Sequence, residues 1–366
     1  MKKIVYTIST LRRSGPVSVL YGIIKNLDKS KFEPLIITLS DELKDSMQKE
    51  FQDLNVEIIS LKLSRLEALF LGGFKLKKIV KKINPSVIHA NSFRDILLVG
   101  TFLRGYKKVV SLHCDFFEDY CFKYGKIIGE IMVFLQKYAI KNFDCNVCVS
   151  KMLAEILSKR LPKLKFEYVN NGVDTDKFSP LKNKEDIRKK LKLPSDKKIF
   201  IWCGSFTPRK NPIILVEAIE FLDRKDCFFV FCGARGPLLE VAKEKTNTIP
   251  NVLFTDYVEN INQYLQASDF YITTSLSEGL PLNVIEALSA GLPSILSNIP
   301  QHKYIAKNSD VGLFYETNDI KDLVEKIKKI LLIDYEQYSK NAHALAEDKF
   351  SAEAMSENYQ KFYLIG

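Results

Sequence analysis

Two glutamates eight residues apart are the side chains of this sequence best placed to do chemistry. Glu278 and Glu286 flank a short loop, Gly279-Leu280-Pro281, that leads into an apolar, helix-forming run. A loop that enters a helix in this way points N–H groups at one spot and favours an anionic ligand such as a diphosphate. A carboxylate beside that anion suits sugar hydroxyls, from which it accepts hydrogen bonds. The alternative is a helix-start carboxylate at Glu278 and a solvated one at Glu286.

A second segment carries the features of an anion site. Gly204 and Ser205 follow an apolar strand-like run, and the adjacent cations Arg209 and Lys210 precede a proline that can begin a helix. Arginine binds two oxyanions in bidentate fashion, and lysine acts as a point charge. Opposite another anion-binding helix start, this pair predicts a diphosphate site. The alternative is a solvated Arg–Lys pair on a turn.

Three further candidate residues lie at the ends of strand-like runs or in the loops that follow them. Gly233 and Gly15 each lie in a loop of this kind, but neither loop has the full glycine fingerprint of dinucleotide binding, so a nicotinamide enzyme is poorly supported. His113 lies at the strand edge where these sheets bind ligands, which makes it a candidate for ligand contact against a structural role. His89 also ends a strand and is interpreted as structural.

Metal binding and disulfides are not expected. Cys145 and Cys148 have the Cys-x-x-Cys spacing, but residues three apart on a strand point to opposite faces. The odd count of seven cysteines, most of them in apolar runs, predicts buried reduced thiols. Asp174 and Asp176 have the spacing of a divalent-metal nucleotide site, but the Asn-Gly before them favours a turn and a helix cap.

Strand-like and helix-like segments alternate along the whole chain and must position these residues. The alternation predicts an α/β protein with doubly wound parallel sheets, and 366 residues fit two domains. Such sheets bind ligands at the carboxyl ends of their strands, here in a cleft between two domains. The predicted divisions are an N-terminal domain over 1–168, a linker over 169–196, a C-terminal domain over 197–346, and a last helix over 347–366 that packs back on the first domain.

Positive charge is concentrated in the N-terminal half. Residues 1–168 carry a net charge of +12 and the remainder −2, which indicates that the first half faces something anionic. The segment 62–82 holds seven basic residues and one acid, and a basic amphipathic surface of this kind can rest on an anionic membrane. The alternative is a solvated helix whose apolar side lies in the core. The apolar residues of that segment are Leu66, Leu69, Phe70, Leu71 and Phe74.

Membrane insertion and export are not predicted. No uncharged apolar stretch reaches the roughly 20 residues that span a bilayer. The basic start and short apolar run of residues 1–10 predict a first β-strand rather than a signal peptide, since Arg12 and Arg13 interrupt it without a cleavage site. The expected location is the cytoplasm, with peripheral association at the inner face of the cell membrane.

These segments together resemble one known family. The chain resembles the retaining GT-B glycosyltransferases of the family 4 type, which carry a Glu-x7-Glu motif and include many bacterial capsule, O-antigen and exopolysaccharide enzymes. Residues 278–286 match that motif, residues 170–178 (Asn-Asn-Gly-Val-Asp-Thr-Asp-Lys-Phe) resemble the interdomain link, and residues 148–151 (Cys-Val-Ser-Lys) resemble a helix start. The resemblance covers nearly the whole chain and implies two Rossmann-like domains that face each other across a cleft.

The resemblance implies roles for single residues. Lys210 matches the diphosphate-binding lysine, Glu278 would hydrogen-bond the transferred sugar, and Glu286 would hold the ribose hydroxyls. The family commonly has arginine where Ser205 stands, and Arg209 is taken to supply that charge. The predicted catalytic residues are Glu278, His113, Arg209 and Lys210. The predicted substrate-binding residues are Gly15, Gly204, Ser205, Gly233, Gly279, Leu280, Pro281, Asn283 and Glu286. Of these, Gly15 would lie near the β-phosphate, and the N–H groups of Gly279 and Leu280 would face the transferred sugar.

The resemblance also implies the reaction. Retention is thought to proceed by same-face attack, in which the leaving diphosphate accepts the acceptor's proton. That chemistry needs leaving-group charge stabilisation, so neither a metal nor another cofactor is expected. The implied partners are a nucleotide-diphosphate sugar, with UDP favoured, and a glycan or polyprenyl-diphosphate-linked acceptor on the basic domain.

Two other functions remain open at this point. A nucleotide-sugar epimerase on the same fold would need acid/base carboxylates that face the sugar. A nucleic-acid binder would use the basic half, but no interleaved aromatic platform or recognised motif supports it, so nucleic acid is not an expected partner.

Overall fold

The computed structural model describes residues 1–64, 67, 70–222, 224–307 and 309–364. The chain divides into two compact units, unit 1 with Met1–Gly172 and Ala352–Gly366, and unit 2 with Val173–Ser351. Each unit is built on one sheet whose strands all run parallel, with helices between them. The predicted α/β class with two doubly wound sheets is confirmed.

The sheet of unit 1 has the strand order β3-β2-β1-β4-β5-β6-β7, so the order reverses between β1 and β4. Chains that reverse in this way leave a crevice at the carboxyl ends of the central strands. The strands read as continuous apolar runs because helices cover both faces of the sheet. Their bounds are β1 Lys2–Ile8, β2 Phe32–Thr38, β3 Glu57–Ser60, β4 Val87–Ala90, β5 Lys107–Leu112, β6 Cys145–Cys148 and β7 Phe166–Tyr168.

The second helix of unit 1 is shorter than the sequence predicts. A helix is predicted over 41–54, but it forms only over its last residues, because Glu42 accepts hydrogen bonds from the backbone N–H of Leu11 and from Ser46 Oγ. Those contacts hold residues 41–47 against the loop after β1. The helices are α1 Gly15–Lys25, α2 Gln48–Asp53, α3 Gly72–Ile83, α4 Phe93–Phe102, α5 Phe116–Tyr124, α6 Lys126–Ile140 and α7 Lys151–Arg160.

The last helix of the chain, Ala352–Leu364, packs on α1 and the sheet of unit 1. The Tyr363 hydroxyl lies 2.8 Å from His89 Nδ1, and Ser111 Oγ lies 2.8 Å from both His89 Nε2 and the Tyr359 hydroxyl. Burial lowers the pKa of His89 to about 3, so the ring is neutral. His89 therefore joins the last helix to the sheet.

The sheet of unit 2 has the order β10-β9-β8-β11-β12-β13 and reverses between β8 and β11. An aromatic core covers one face, where Trp202 packs beside Phe206 and Phe231 stacks on Phe254. The bounds are β8 Lys198–Cys203, β9 Cys227–Cys232, β10 Val252–Phe254, β11 Phe270–Thr273, β12 Ser294–Ser297 and β13 Gly312–Tyr315.

Residues 173–196, predicted as part of a linker, pack within unit 2. Their helix buries Arg188, whose guanidinium bonds the Asp269 carboxylate at 2.8 Å. The helices of unit 2 are α8 Glu185–Leu191, α9 Pro212–Leu222, α10 Leu239–Lys245, α11 Ile261–Ala267, α12 Leu282–Ser289, α13 Pro300–Ala306, α14 Ile320–Ile330 and α15 Tyr335–Phe350, so that the last helix of unit 1 is α16.

Candidate functional site

Glu278 holds both predicted cations of unit 2. Its Oε1 lies 2.5 Å from Lys210 Nζ, and its Oε2 lies 2.7 Å from an Arg209 guanidinium nitrogen. The same arginine donates to the Ser277 carbonyl at 2.8 Å, and Ser275 Oγ donates to Oε1 at 2.7 Å. The Glu278 side chain is only 6% exposed. The cluster therefore joins the loop after β8 to the loop after β11.

Electrostatics keep Glu278 ionised. Burial by itself would raise the pKa of the carboxyl group, but Lys210 and Arg209 outweigh it and lower the pKa of Glu278 to about 2. A carboxylate oxygen accepts about two hydrogen bonds. Oε1 already receives two, from Lys210 and Ser275, whereas Oε2 receives one from Arg209 within the described residues. Oε2 is therefore the atom that can accept a ligand hydroxyl.

A chain of polar contacts fixes the backbone at Lys210. Trp202 Nε1 donates to Thr274 Oγ1 at 3.0 Å, and Thr274 Oγ1 donates to the Lys210 carbonyl at 2.7 Å. The Leu276 N–H donates to the Arg209 carbonyl at 2.8 Å. The backbone of Arg209 and Lys210 is thus anchored to β8 and to the end of β11, the two central strands where the strand order reverses.

The two predicted glycine loops abut each other at the same edge. A Cβ on Gly233 would lie 1.9 Å from the Gly204 carbonyl oxygen, so only glycine fits there. The Gly204 N–H donates to the Cys232 carbonyl at 3.0 Å, and Ser205 comes next in this loop. Gly204, Ser205 and Gly233 therefore form a compact wall beside the two cations.

Helix α12 begins at this edge, with Pro281 as its N-cap residue after Gly279 and Leu280. Proline has no side-chain acceptor for the first N–H groups of a helix, and no acidic residue stands in the first turn. The positive end of the helix dipole is thus not neutralised by its own side chains. Asn283 Nδ2 donates to the Cys203 carbonyl at 2.8 Å, which ties the first turn to the end of β8.

Glu286 lies one turn further along α12 and is partly exposed. Burial raises the pKa of its carboxyl group to about 7, although Lys177 and Lys210 oppose that rise. Glu278 and Glu286 therefore differ in acidity: the pKa of the first is lowered to about 2, and that of the second is raised to about 7. The difference follows from their partners, because Arg209 and Lys210 bond Glu278, whereas no cation among the described residues forms a hydrogen bond with Glu286.

Gly15 and His113 belong to unit 1. Gly15 opens α1 after the end of β1, and His113 follows β5, so both lie at the carboxyl edge of that sheet. Burial lowers the pKa of His113 to about 4, so the ring is neutral at physiological pH. Its Nε2 is buried without a hydrogen-bond partner within the described ranges.

Sequence reasoning missed Ser275 and its bond to Glu278. A serine at the end of a strand is common, and only the fold shows that this one faces the carboxylate. Asp174 accepts from the Lys177 N–H at 3.2 Å, a turn contact of the kind that was predicted for it. Over the residues that the structure describes, no three His, Cys, Asp or Glu side chains gather as a metal site would. All seven cysteines are described, and none is in a disulfide.

Each half of the chain matches the profile of a known glycosyltransferase family. Residues 13–177 match the Glycosyltransferase Family 4 profile, and residues 183–347 match the profile of Glycosyl transferases group 1. The UDP-Gal:alpha-D-GlcNAc-diphosphoundecaprenol alpha-1,3-galactosyltransferase of Escherichia coli is 31% identical over 306 residues, which cover 80% of this chain and 77% of the enzyme. The O-antigen biosynthesis glycosyltransferase WclY of Escherichia coli is 26% identical over 99% of this chain and 98% of its own length.

Solved structures share the fold over the whole chain. Anabaena Alr3699/HepE in complex with UDP and glucose superposes with a TM-score of 0.83 at 14% identity, over 99% of both chains. WaaG, a glycosyltransferase involved in lipopolysaccharide biosynthesis, superposes with a TM-score of 0.79 at 15% identity, over 99% of this chain and all of WaaG. At these identities the likeness establishes the fold alone.

Proposed function

The chain belongs to the family 4 retaining glycosyltransferases of GT-B fold, as its motifs indicated, and we propose that it transfers a sugar from a UDP-sugar to a lipid-linked glycan acceptor. The product is a cell-surface polysaccharide or its precursor. The UDP donor and the diphosphoundecaprenol-linked acceptor in the name of one relative support this choice of substrates. The UDP bound in a solved structure of the same fold agrees with the donor.

The observation that carries the proposal is the Glu278–Arg209–Lys210 cluster beside the start of α12. Two cations and a helix N-terminus, all within unit 2, suit the two phosphates of a nucleotide diphosphate. In the proposed complex the phosphates take hydrogen bonds from Arg209 and Lys210, which are held in place by Glu278. Glu278 Oε2 accepts from a hydroxyl of the transferred sugar, and Glu286 accepts from the ribose hydroxyls.

The bond changes balance without a protein nucleophile. The bond between the anomeric carbon and the diphosphate oxygen breaks, and the acceptor oxygen bonds the anomeric carbon from the same face. The acceptor's proton passes to the departing diphosphate. Negative charge develops on that leaving group, so fixed cations stabilise the transition state more than the ground state. Glu278, bonded to Arg209 and Lys210 and ionised, serves as an acceptor of hydrogen bonds rather than as a nucleophile.

A panel of donors tests the proposal. The thermal midpoint of the protein is measured with UDP-, GDP-, ADP- and dTDP-sugars, and the sugars that stabilise it are then tested for turnover with polyprenyl-diphosphate-linked glycans. We expect UDP-sugars to raise the midpoint most and a UDP-sugar to support transfer. If no nucleotide stabilises the protein, the donor site is misassigned. An epimerised donor formed without any acceptor would instead indicate an epimerase.

A further inference from the structure

Helix α6 of unit 1 exposes an apolar stripe along its outer side. Ile127, Ile131, Phe134 and Tyr138 recur at the spacing of one helix face, and Ile128 and Leu135 widen the stripe; we call these six residues the α6 apolar face. Ile127 is 78% exposed and Phe134 is 67% exposed. The helix has 15 residues and is therefore about 22 Å long. An exposed patch of this extent marks an interaction site.

Two glycine contacts fix the rotation of α6, so that this side faces outward. A Cβ on Gly129 would lie 2.5 Å from the Cα of Cys121 in α5. A Cβ on Gly100 of α4 would lie 2.6 Å from the Ala139 carbonyl oxygen of α6. The side of α6 opposite the stripe is therefore packed against its neighbours at backbone distance. Rotating the stripe inward would break both contacts.

The charges beside the stripe are mostly positive. Lys123, Lys126, Lys137 and Lys141 lie on or next to α6 and its junction with α5, and Glu130 is the acidic residue of that helix. Lysines along the flank of an apolar stripe are typical of helices that lie in the interface of an anionic bilayer. A second copy of this chain, paired by two-fold symmetry, would bring the same lysines opposite each other. Charge complementarity therefore favours lipid over self-association.

The basic segment 62–82 also exposes apolar side chains. Helix α4 packs against both α3 and α6, and Phe74 of α3 touches Phe102 of α4. Phe70, Leu71 and Phe74 are exposed, and the last turn of α3 carries lysines. Leu66 and Leu69, also named in the sequence prediction, lie outside the described residues.

We propose that the α6 apolar face seats unit 1 on an anionic lipid bilayer, with α6 lying in the plane of the headgroups. Ile127, Ile131 and Phe134 enter the acyl boundary, and the flanking lysines contact lipid phosphates. In the described part of the chain, no helix is both long and apolar enough to span a membrane. The inference concerns a surface of unit 1, whereas the donor cluster belongs to unit 2, and it holds whatever the donor is.

Vesicle sedimentation with the full chain tests this surface. The probes are vesicles of phosphatidylcholine with phosphatidylglycerol, and of phosphatidylcholine alone. The variant Ile131→Ser/Phe134→Ser changes only exposed side chains, and Phe221→Ser/Leu332→Ser makes the same kind of change at exposed apolar residues of unit 2. We expect wild type to prefer the anionic vesicles, the α6 variant to bind them at least about tenfold more weakly, and the unit 2 variant to bind as wild type does.

Two further measurements make the result decisive. The α6 variant should keep the UDP-induced rise in thermal midpoint. That result would show that the variant is folded and that its donor site is unaffected. Lys126→Gln/Lys137→Gln should weaken binding to anionic vesicles in the same direction as added salt. Equal binding of wild type and the α6 variant to anionic vesicles would overturn the proposal. A dimer that the α6 variant converts to a monomer, with vesicle binding unchanged, would assign the face to a second copy.

Discussion

Glu278→Gln is expected to destabilise unit 2 and, at the same time, to separate donor binding from sugar transfer. Glutamine keeps the size of the side chain but leaves Lys210, 12% exposed, and Arg209 without their counter-ion. The difference between the ordinary pKa of 4.5 and about 2 in the folded protein corresponds to about 3 kcal/mol of stability at pH 7. That loss would lower the thermal midpoint of a unit of this size by about 6–12 °C.

The pH dependence of the stability difference between wild type and Glu278→Gln follows from the lowered pKa of Glu278. The wild-type advantage is fully present above the unfolded pKa of 4.5 and disappears as the pH falls through about 2. Urea unfolding at pH 7 and at pH 3, followed through the fluorescence of Trp202, measures it, because Trp202 is the single tryptophan and is buried in unit 2. Glu240→Gln, an exposed change in the same unit, is the matched control and should leave the unfolding midpoint where it is.

Binding and turnover complete the prediction for Glu278→Gln. Without the carboxylate, the phosphates no longer compete with it for the two cations, so UDP should bind at least as tightly as in wild type. Transfer should fall by about 100-fold or more, because the acceptor for the sugar hydroxyl is lost. A variant as stable as wild type at pH 7, or one that loses UDP binding and transfer equally, would refute the reasoning.

Three other changes probe neighbouring parts of the site. Burial raises the pKa of Glu286 to about 7, so wild type should lose stability as the pH rises from 4.5 through 7. Its affinity for UDP should grow over the same range. Glu286→Gln should flatten the pH dependence of both stability and UDP affinity, and it should be the more stable protein at pH 8. Ser275→Ala removes one donor to Glu278 and should cost about 1 kcal/mol in urea unfolding, clearly less than Glu278→Gln. Gly233→Ala should cost about 1–3 kcal/mol and weaken UDP binding in calorimetry, since its Cβ collides with the Gly204 carbonyl oxygen; unchanged affinity would contradict the predicted loop contact.

Much of the fold could be predicted from the sequence, because parallel strands are buried on both faces and therefore appear as unbroken apolar runs. The central strands β1, β5, β8 and β11 were predicted for this reason. The short strands β7 and β13, at the opposite edges of their sheets from β3 and β10, were not predicted, and each is only partly buried. Helix α15 was missed because only four of its sixteen residues are buried, two of them alanines, within a polar sequence.

The residue types of the site could be predicted, but their pairing could not. Glu278 and Lys210 are 68 residues apart, and they meet only because β8 and β11 are neighbours in the sheet. Nothing local in the sequence shows that one carboxylate holds both cations, or that Ser275 completes the cluster. The opposite pKa shifts of Glu278 and Glu286 likewise arise from tertiary contacts. The sequence predicted two carboxylates with separate roles, and the structure supplies a physical basis for separating them.

The central claim, that the cation cluster of unit 2 binds the diphosphate of a donor, is tested most directly by titration calorimetry with UDP. Wild type should bind UDP and bind uridine far more weakly. Lys210→Gln, which leaves Arg209 paired with Glu278, should weaken UDP binding by at least about tenfold and leave uridine binding unchanged. Equal affinity of wild type and Lys210→Gln for UDP, or no binding of UDP by wild type, would contradict the account.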